Sequence, residues 1–137
     1  MIFIDAIFAI VISIYDLKYH RIPNAILLAF TLTSLSLQIF LSQITMTNLA
    51  LGFIFLIFSL ALARVADMGS GDVKLLTVCA LFIIPPTWLE VSNFLLTFCV
   101  CVLIQLIIHF LCKKTVSGYL PIGPSILVSA IWCASRA

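Results

Sequence analysis

Residues 67–76 read DMGSGDVKLL and interrupt a chain that is otherwise almost continuously apolar. Two aspartates, one lysine and two glycines stand here between runs of Leu, Ile, Phe and Val. Glycines one residue apart permit a tight turn and a close approach of another backbone. Because charge beside a hydrocarbon layer is costly, such a stretch in so apolar a chain indicates a functional site.

The composition excludes a soluble domain. The chain has 137 residues, of which 64% are hydrophobic and 9% are charged, and its mean hydropathy is +1.33. Lipid is therefore the expected solvent for most of its surface. A net charge of +2 is too small to indicate a nucleic-acid partner. The five cysteines form no C-x-x-C pair and lie within apolar runs, which indicates small buried side chains and neither a disulfide framework nor a metal site.

Apolar segments predict an all-α membrane protein with about six transmembrane helices, in which residues 1–137 form a single polytopic domain. The segments are 2–19, 24–42, 48–66, 72–86, 88–112 and 119–135. The first has neither a basic N-terminal region nor a small-residue cleavage site, so it is expected to be a retained helix and not a signal peptide. Two consecutive prolines, Pro85 and Pro86, end the fourth.

Basic residues predict the orientation of these helices in the membrane. The first, third and fifth connections hold six of the seven Lys and Arg residues: Lys18, Arg21, Arg64, Lys74, Lys113 and Lys114. The opposite side has only Arg136. We therefore expect the odd-numbered connections to lie in the cytoplasm and both termini to lie outside.

Asp16 and Asp72 are the charged residues that most need an explanation. Asp16 lies about 7 Å deeper than Arg21 along a regular helix. Asp72 falls in the first turn of helix four, where unpaired N–H groups favour a carboxylate. Two facing carboxylates can share one proton, so that one activates a water as general base while the other polarises a scissile carbonyl, as in aspartic proteases.

A purely structural interpretation of these residues stays open at this point. Asp16 would then pair with Lys18 or Arg21 at a helix interface, and Asp72 would cap helix four. Pro23 ends the first helix, and Asn24 is expected to cap the second. On helix five, a stripe of polar residues at a spacing of four predicts contacts that hold helices together: Asn93, Thr97, Cys101, Gln105 and His109.

Three motifs resemble the signatures of the type IV prepilin peptidases, which are membrane aspartic proteases of the GxGD type. They are D-x-x-x-x-R-I-P-N at 16–24, M-G-S-G-D-V-K-L-L at 68–76 and, more weakly, P-I-G-P-S at 121–125. The resemblance implies that Asp16 and Asp72 are catalytic and that proteolysis uses no metal or other cofactor. Residues expected to bind substrate or shape the site are Gly69, Gly71, Lys74, Arg21, Pro23, Asn24, Gly123 and Pro124.

The same resemblance implies a substrate and a location. A short basic leader would be removed from prepilin-like or preflagellin-like proteins at the cytoplasmic face of the plasma (inner) membrane. The cut is expected after a glycine that precedes the hydrophobic helix of the pilin. Larger members carry an extra domain with paired C-x-x-C zinc motifs, which is associated with N-methylation. This chain has only a short turn between helices one and two, so we expect a peptidase without methyltransferase activity.

Two other classes of function are considered. A non-catalytic membrane scaffold for pilus or secretion-system assembly would be expected to lack at least one aspartate, and both are present. A small ion or proton carrier that uses Asp16 and Asp72 would be expected to have polar breaks near the bilayer midplane, whereas the charges here cluster at one boundary.

Overall fold

The computed structural model describes residues 2–19, 22–41, 45–65, 69–113 and 121–136. In these ranges the chain forms six α-helices and no strand. The helices are α1 (Ile2–Tyr19), α2 (Asn24–Phe40), α3 (Met46–Val65), α4 (Ser70–Phe82), α5 (Trp88–Lys113) and α6 (Gly123–Ala134). Each helix lies on one of the apolar segments predicted from the sequence. The all-α fold is therefore confirmed for the described ranges.

The two shortest helices, α4 and α6, lie at the centre of the bundle. Helix α4 packs against α2, α3 and α6, and α6 packs against α1, α4 and α5. Within the described ranges α1 and α4 make no close backbone contact with each other, so α2 and α6 bridge them. The two helices that carry Asp16 and Asp72 are thus positioned through shared neighbours.

Helix α1 turns one face toward this centre. Asp5, Ala9, Ile12 and Asp16 are all buried, at most 6% exposed, and their spacing of three and four residues puts them on one side of a helix. No pattern in the sequence predicts that Asp5 is buried. It lies eleven residues before Asp16, or about 16 Å along the helix axis.

The end of α4 is held by a side chain from α2. In a regular helix the carbonyl of Phe82 would accept a hydrogen bond from the N–H of residue 86, but Pro86 has none. The amide Nε2 of the buried Gln38 donates to that carbonyl instead, at 2.6 Å. Helix α5 then begins after Thr87, whose Oγ1 accepts from the N–H of Glu90 at 3.3 Å and so caps the helix.

Among the described residues, two helices are long and apolar enough to cross a membrane. They are α3, with a mean hydropathy of 2.1, and residues Trp88–Leu111 of α5, with a mean hydropathy of 2.6. Helix α1 carries three charged residues, and α4 has 13 residues, which extend only about 20 Å against a hydrocarbon layer of about 30 Å. Six complete spans and the placement of both termini outside therefore remain predictions.

Candidate active site

Asp16 and Asp72 are brought together in the interior of the bundle. Asp16 lies near the end of α1 and is 1% exposed, and Asp72 lies in the first turn of α4 and is 2% exposed. The two carboxyl groups are close enough to interact electrostatically. Two like charges in such a confined place resist simultaneous ionisation, so one member of the pair is favoured to carry a proton while the other is ionised.

The backbone of Gly123 contacts Asp16 directly. The N–H of Gly123, the first residue of α6, donates a hydrogen bond to Oδ2 of Asp16 at 3.0 Å. A β-carbon at position 123 would lie 2.7 Å from the same oxygen and 3.2 Å from the carboxyl carbon. Glycine is therefore needed here for close approach, and the start of α6 serves as a hydrogen-bond donor to the carboxylate.

Asp72 has a different environment. Neither of its carboxyl oxygens has a hydrogen-bond partner among the described residues, although the backbone of Gly69 lies near enough to attract the charge. Gly69 occupies the N-cap position of α4 with φ −61° and ψ 144°, and no side chain caps this helix end. Asp72 thus stands at the third position of the helix and not at the N-cap itself, with the backbone of Gly69 beside its carboxyl group. Its oxygens are left to interact with Asp16 and with whatever enters the site.

Gly71 is needed because the first motif packs against it. Its backbone is helical, so a positive φ does not explain the glycine. A β-carbon here would lie 3.1 Å from Cβ of Ile22 and 3.5 Å from its Cγ1. The expected close approach therefore exists, but its partner is the buried Ile22 of this chain. Ile22 belongs to the R-I-P-N motif, so the two signatures contact each other.

A second contact joins the same two motifs. Lys74 Nζ donates to Oδ1 of Asn24 at 3.0 Å on the exposed side of the site. Asn24 was expected to cap α2, and this expectation is wrong. Pro23 occupies the N-cap position instead, and its carbonyl accepts from the N–H groups of Ile26 and Leu27 at 3.1 and 3.2 Å. The Asn24 side chain is free to accept from Lys74 because Pro23 already fixes the turn.

Two residues considered at the sequence level, Arg21 and Asp67, lie outside the described residues. Lys18, the other suggested partner of Asp16, is exposed, and its Nζ lies 5.1 Å from the ring centroid of Tyr19. Pro124 lies in the first turn of α6. Among the described residues no group of three His, Cys, Asp or Glu side chains could hold a metal ion.

Sequence reasoning did not connect helix α5 with the site. Gln105 Nε2 donates to the carbonyl of Pro121 at 3.0 Å, and Ser125 Oγ donates to Gln105 Oε1 at 2.6 Å. Pro121 and Ser125 flank the Gly123 that contacts Asp16. The polar stripe on α5 was the available signal, but it predicted only that this helix would be held to a neighbour.

The comparison with protein families agrees with the first two motifs, and the third motif, at 121–125, lies beyond the matched range. The model of the type IV leader peptidase family matches residues 3–112, a range that includes both aspartates. Comparisons with curated proteins and with solved structures gave no significant match. Members of the family are membrane proteases of the aspartic type, and the two long apolar helices are in keeping with a membrane location. The chain belongs to the type IV leader peptidase family.

Proposed function

We propose that this protein is a membrane aspartic endopeptidase in which Asp16 and Asp72 are the catalytic pair. Its substrates are prepilin-like or preflagellin-like proteins, from which it removes a short basic leader at the cytoplasmic face of the plasma (inner) membrane. The observation that carries the proposal is the burial of these two carboxyl groups, from separate helices, within electrostatic reach of each other. Burying two carboxyl groups near each other is destabilising, so a catalytic role explains why both are present.

The hydrogen bonds suggest which carboxyl group acts as general base and which acts as general acid. Asp16 accepts an N–H from Gly123, and hydrogen bonds to a carboxylate favour its charged form. Asp72 accepts no comparably well-formed hydrogen bond, although the backbone of Gly69 lies near its carboxyl group, so Asp72 is the better place for the proton. Asp16 then acts as general base and Asp72 as general acid.

The reaction follows from these roles. Asp16 takes a proton from water as the water oxygen attacks the scissile carbonyl carbon, while Asp72 gives its proton to the carbonyl oxygen. The tetrahedral diol collapses when its nitrogen receives a proton from Asp16 and a hydroxyl proton returns to Asp72. The C–N bond breaks, and both carboxyl groups regain their starting states. The leader leaves with a new carboxyl end, and the pilin keeps a new amino end.

The location of the site supports a cytoplasmic cut. Asp16 precedes the first connection, and Asp72 follows the third, and these connections hold Lys18 and Arg64 at their borders. Positively charged connections are retained in the cytoplasm. Residues 20–23 alone join α1 to α2, and no zinc domain can be inserted there. We therefore propose cleavage without N-methylation of the product.

Co-expression with a panel of prepilin-like proteins tests this function. Mass spectrometry of the mature product should show loss of the leader at a glycine, and an unmethylated new N-terminus. A substrate whose glycine is replaced by a bulky residue serves as the matched control and should stay uncut. If no candidate is cut but pilus assembly still requires the protein, the scaffold is the better explanation and the peptidase proposal fails.

A further inference from the structure

Gln105 connects helix α5 to the turn that begins α6. Both ends of its side-chain amide are engaged: Nε2 donates to the carbonyl of Pro121 at 3.0 Å, and Oε1 accepts from Ser125 Oγ at 2.6 Å. A carbonyl can only accept, so the amide must present its NH₂ group to Pro121 and its oxygen to Ser125. The chemistry of the two partners thus fixes the orientation of Gln105.

The P-I-G-P-S turn depends on this contact because of its prolines. Pro124 stands three residues after Pro121 and has no N–H, so it cannot close a turn on the Pro121 carbonyl. Gln105 supplies the donor that the backbone lacks. In an apolar environment a carbonyl without a hydrogen-bond donor is costly, so the side chain of Gln105 is strongly favoured to keep its bond to the Pro121 carbonyl.

The held segment is the one that contacts the candidate active site. Gly123 lies between the two residues that Gln105 holds, and its N–H donates to Oδ2 of Asp16 at 3.0 Å. The same backbone approaches so closely that a β-carbon would lie 2.7 Å from that oxygen. A displacement of the turn would therefore move the donor away from Asp16 or press the backbone against it.

We propose that Gln105 is a positioning residue for proteolysis, which holds the turn at 121–125 so that the Gly123 N–H meets the Asp16 carboxylate. The inference rests on the proposed function, because it assigns Asp16 the role of general base. Gln105 itself does not touch the Asp16 carboxyl group. Its effect on the reaction passes through the backbone of the turn.

Gln38 provides a matched control within the same chain. It is also a glutamine whose Nε2 donates to a backbone carbonyl deprived of its donor by a proline, at 2.6 Å from the oxygen of Phe82. That contact lies at the far end of α4 from Asp72. Oε1 of Gln38 has no partner among the described residues, so the match with Gln105 concerns the amide-to-carbonyl bond alone. Replacing Gln38 removes that kind of bond without touching the turn and so measures the structural cost of losing it.

The experiment compares Gln105→Leu, Gln105→Glu and Gln38→Leu with wild type. Cleavage of a prepilin-like substrate is measured in membranes, per inserted enzyme, with kcat and KM determined separately. For Gln105→Leu we expect kcat to fall by about 10- to 100-fold, the range for a misplaced catalytic group, with KM nearly unchanged. Gln105→Glu keeps an acceptor for Ser125 but cannot donate to Pro121 when ionised. It should be similarly impaired, and it serves as the second variant if Gln105→Leu inserts poorly.

The controls separate the possible outcomes. Gln38→Leu should lower the thermal stability of the purified protein while the inserted fraction cleaves at the wild-type rate. If wild type cleaves and both Gln105 variants keep its kcat, the positioning role is overturned and the proposed function stands. If both variants lose activity only in proportion to lost folded protein, as Gln38→Leu does, the role is structural and the inference is overturned. If wild type itself cleaves no substrate, the proposed function fails, and the inference fails with it.

Discussion

Replacement of Gly71 tests the contact between the two signature motifs. The β-carbon of Gly71→Ala would lie 3.1 Å from Cβ of Ile22, whereas carbon atoms pack best at about 3.5–4.0 Å. One of the two segments must therefore move by about 0.4 Å. The γ-carbons of Gly71→Val extend further, toward Cγ1 and Cδ1 of Ile22, which already lie 3.5 and 3.6 Å from the β-carbon position.

The size of the effect follows from how sensitive catalysis is to position. A displacement of about 1 Å can cost about 100-fold in rate, so the shift for Gly71→Ala predicts a loss of about three- to tenfold. Gly71→Val should lose about 100-fold or more, since overpacking by two further methyl groups moves Asp72 with the start of α4. Ser70→Ala changes an exposed neighbour and should keep nearly full activity.

The assay is the rate of leader cleavage per inserted enzyme, with a second-site variant to identify the cause. Ile22→Ala removes the side-chain atoms beyond Cβ and should restore Gly71→Val to about the activity of Gly71→Ala. It should not improve Gly71→Ala, because the closest atom, Cβ of Ile22, is still present. Wild-type cleavage by Gly71→Val, or no rescue by Ile22→Ala, would refute the explanation of why glycine stands here.

Two further predictions concern the rest of the site and its orientation. Gly123→Ala should reduce cleavage more than 100-fold, because its β-carbon would lie 2.7 Å from the Asp16 carboxylate. Gly52→Ala is the control and should mainly affect stability, because its closest contact, at 2.9 Å, is the flexible end of a leucine. Equal cleavage activities of the two variants would contradict this prediction. In a cysteine-free background, Val65→Cys should resist an impermeant thiol reagent in intact cells, whereas Trp88→Cys should be labelled; the reverse pattern would overturn the topology.

The helices and the pair of aspartates could be predicted because local signals determine them. Runs of apolar residues, prolines and glycines mark the helix ends, and the charged residues stand out against an apolar chain. Asp16 and Asp72 are recognisable for that reason, and the structure buries both of them within electrostatic reach of each other. Hydropathy alone is a poorer guide to complete spans, since α4 and α6, with 13 and 12 residues, are shorter than a bilayer.

The contacts between distant segments could not be predicted in the same way. The partner of Gly71 is Ile22, and the partner of Asn24 is Lys74; neither follows from the sequence near the residue itself. Asn24 illustrates the difficulty. Its residue type favours a helix cap, but its side chain instead accepts a hydrogen bond from Lys74, which lies 50 residues away in the sequence. Gln105 is similar, since a polar residue on an apolar helix predicts some partner without saying which.

The central claim is that Asp16 and Asp72 together perform proteolysis, and isosteric replacement tests it most directly. Asp16→Asn and Asp72→Asn remove the ability to exchange a proton and preserve the shape. Asp5→Asn is the matched control because Asp5, 3% exposed, is buried on the same face of α1 as Asp16. The measurement is leader cleavage by equal amounts of each inserted variant. The first two should fall to the background of the assay while Asp5→Asn retains most of its activity; near-normal cleavage by Asp16→Asn or by Asp72→Asn would contradict the claim.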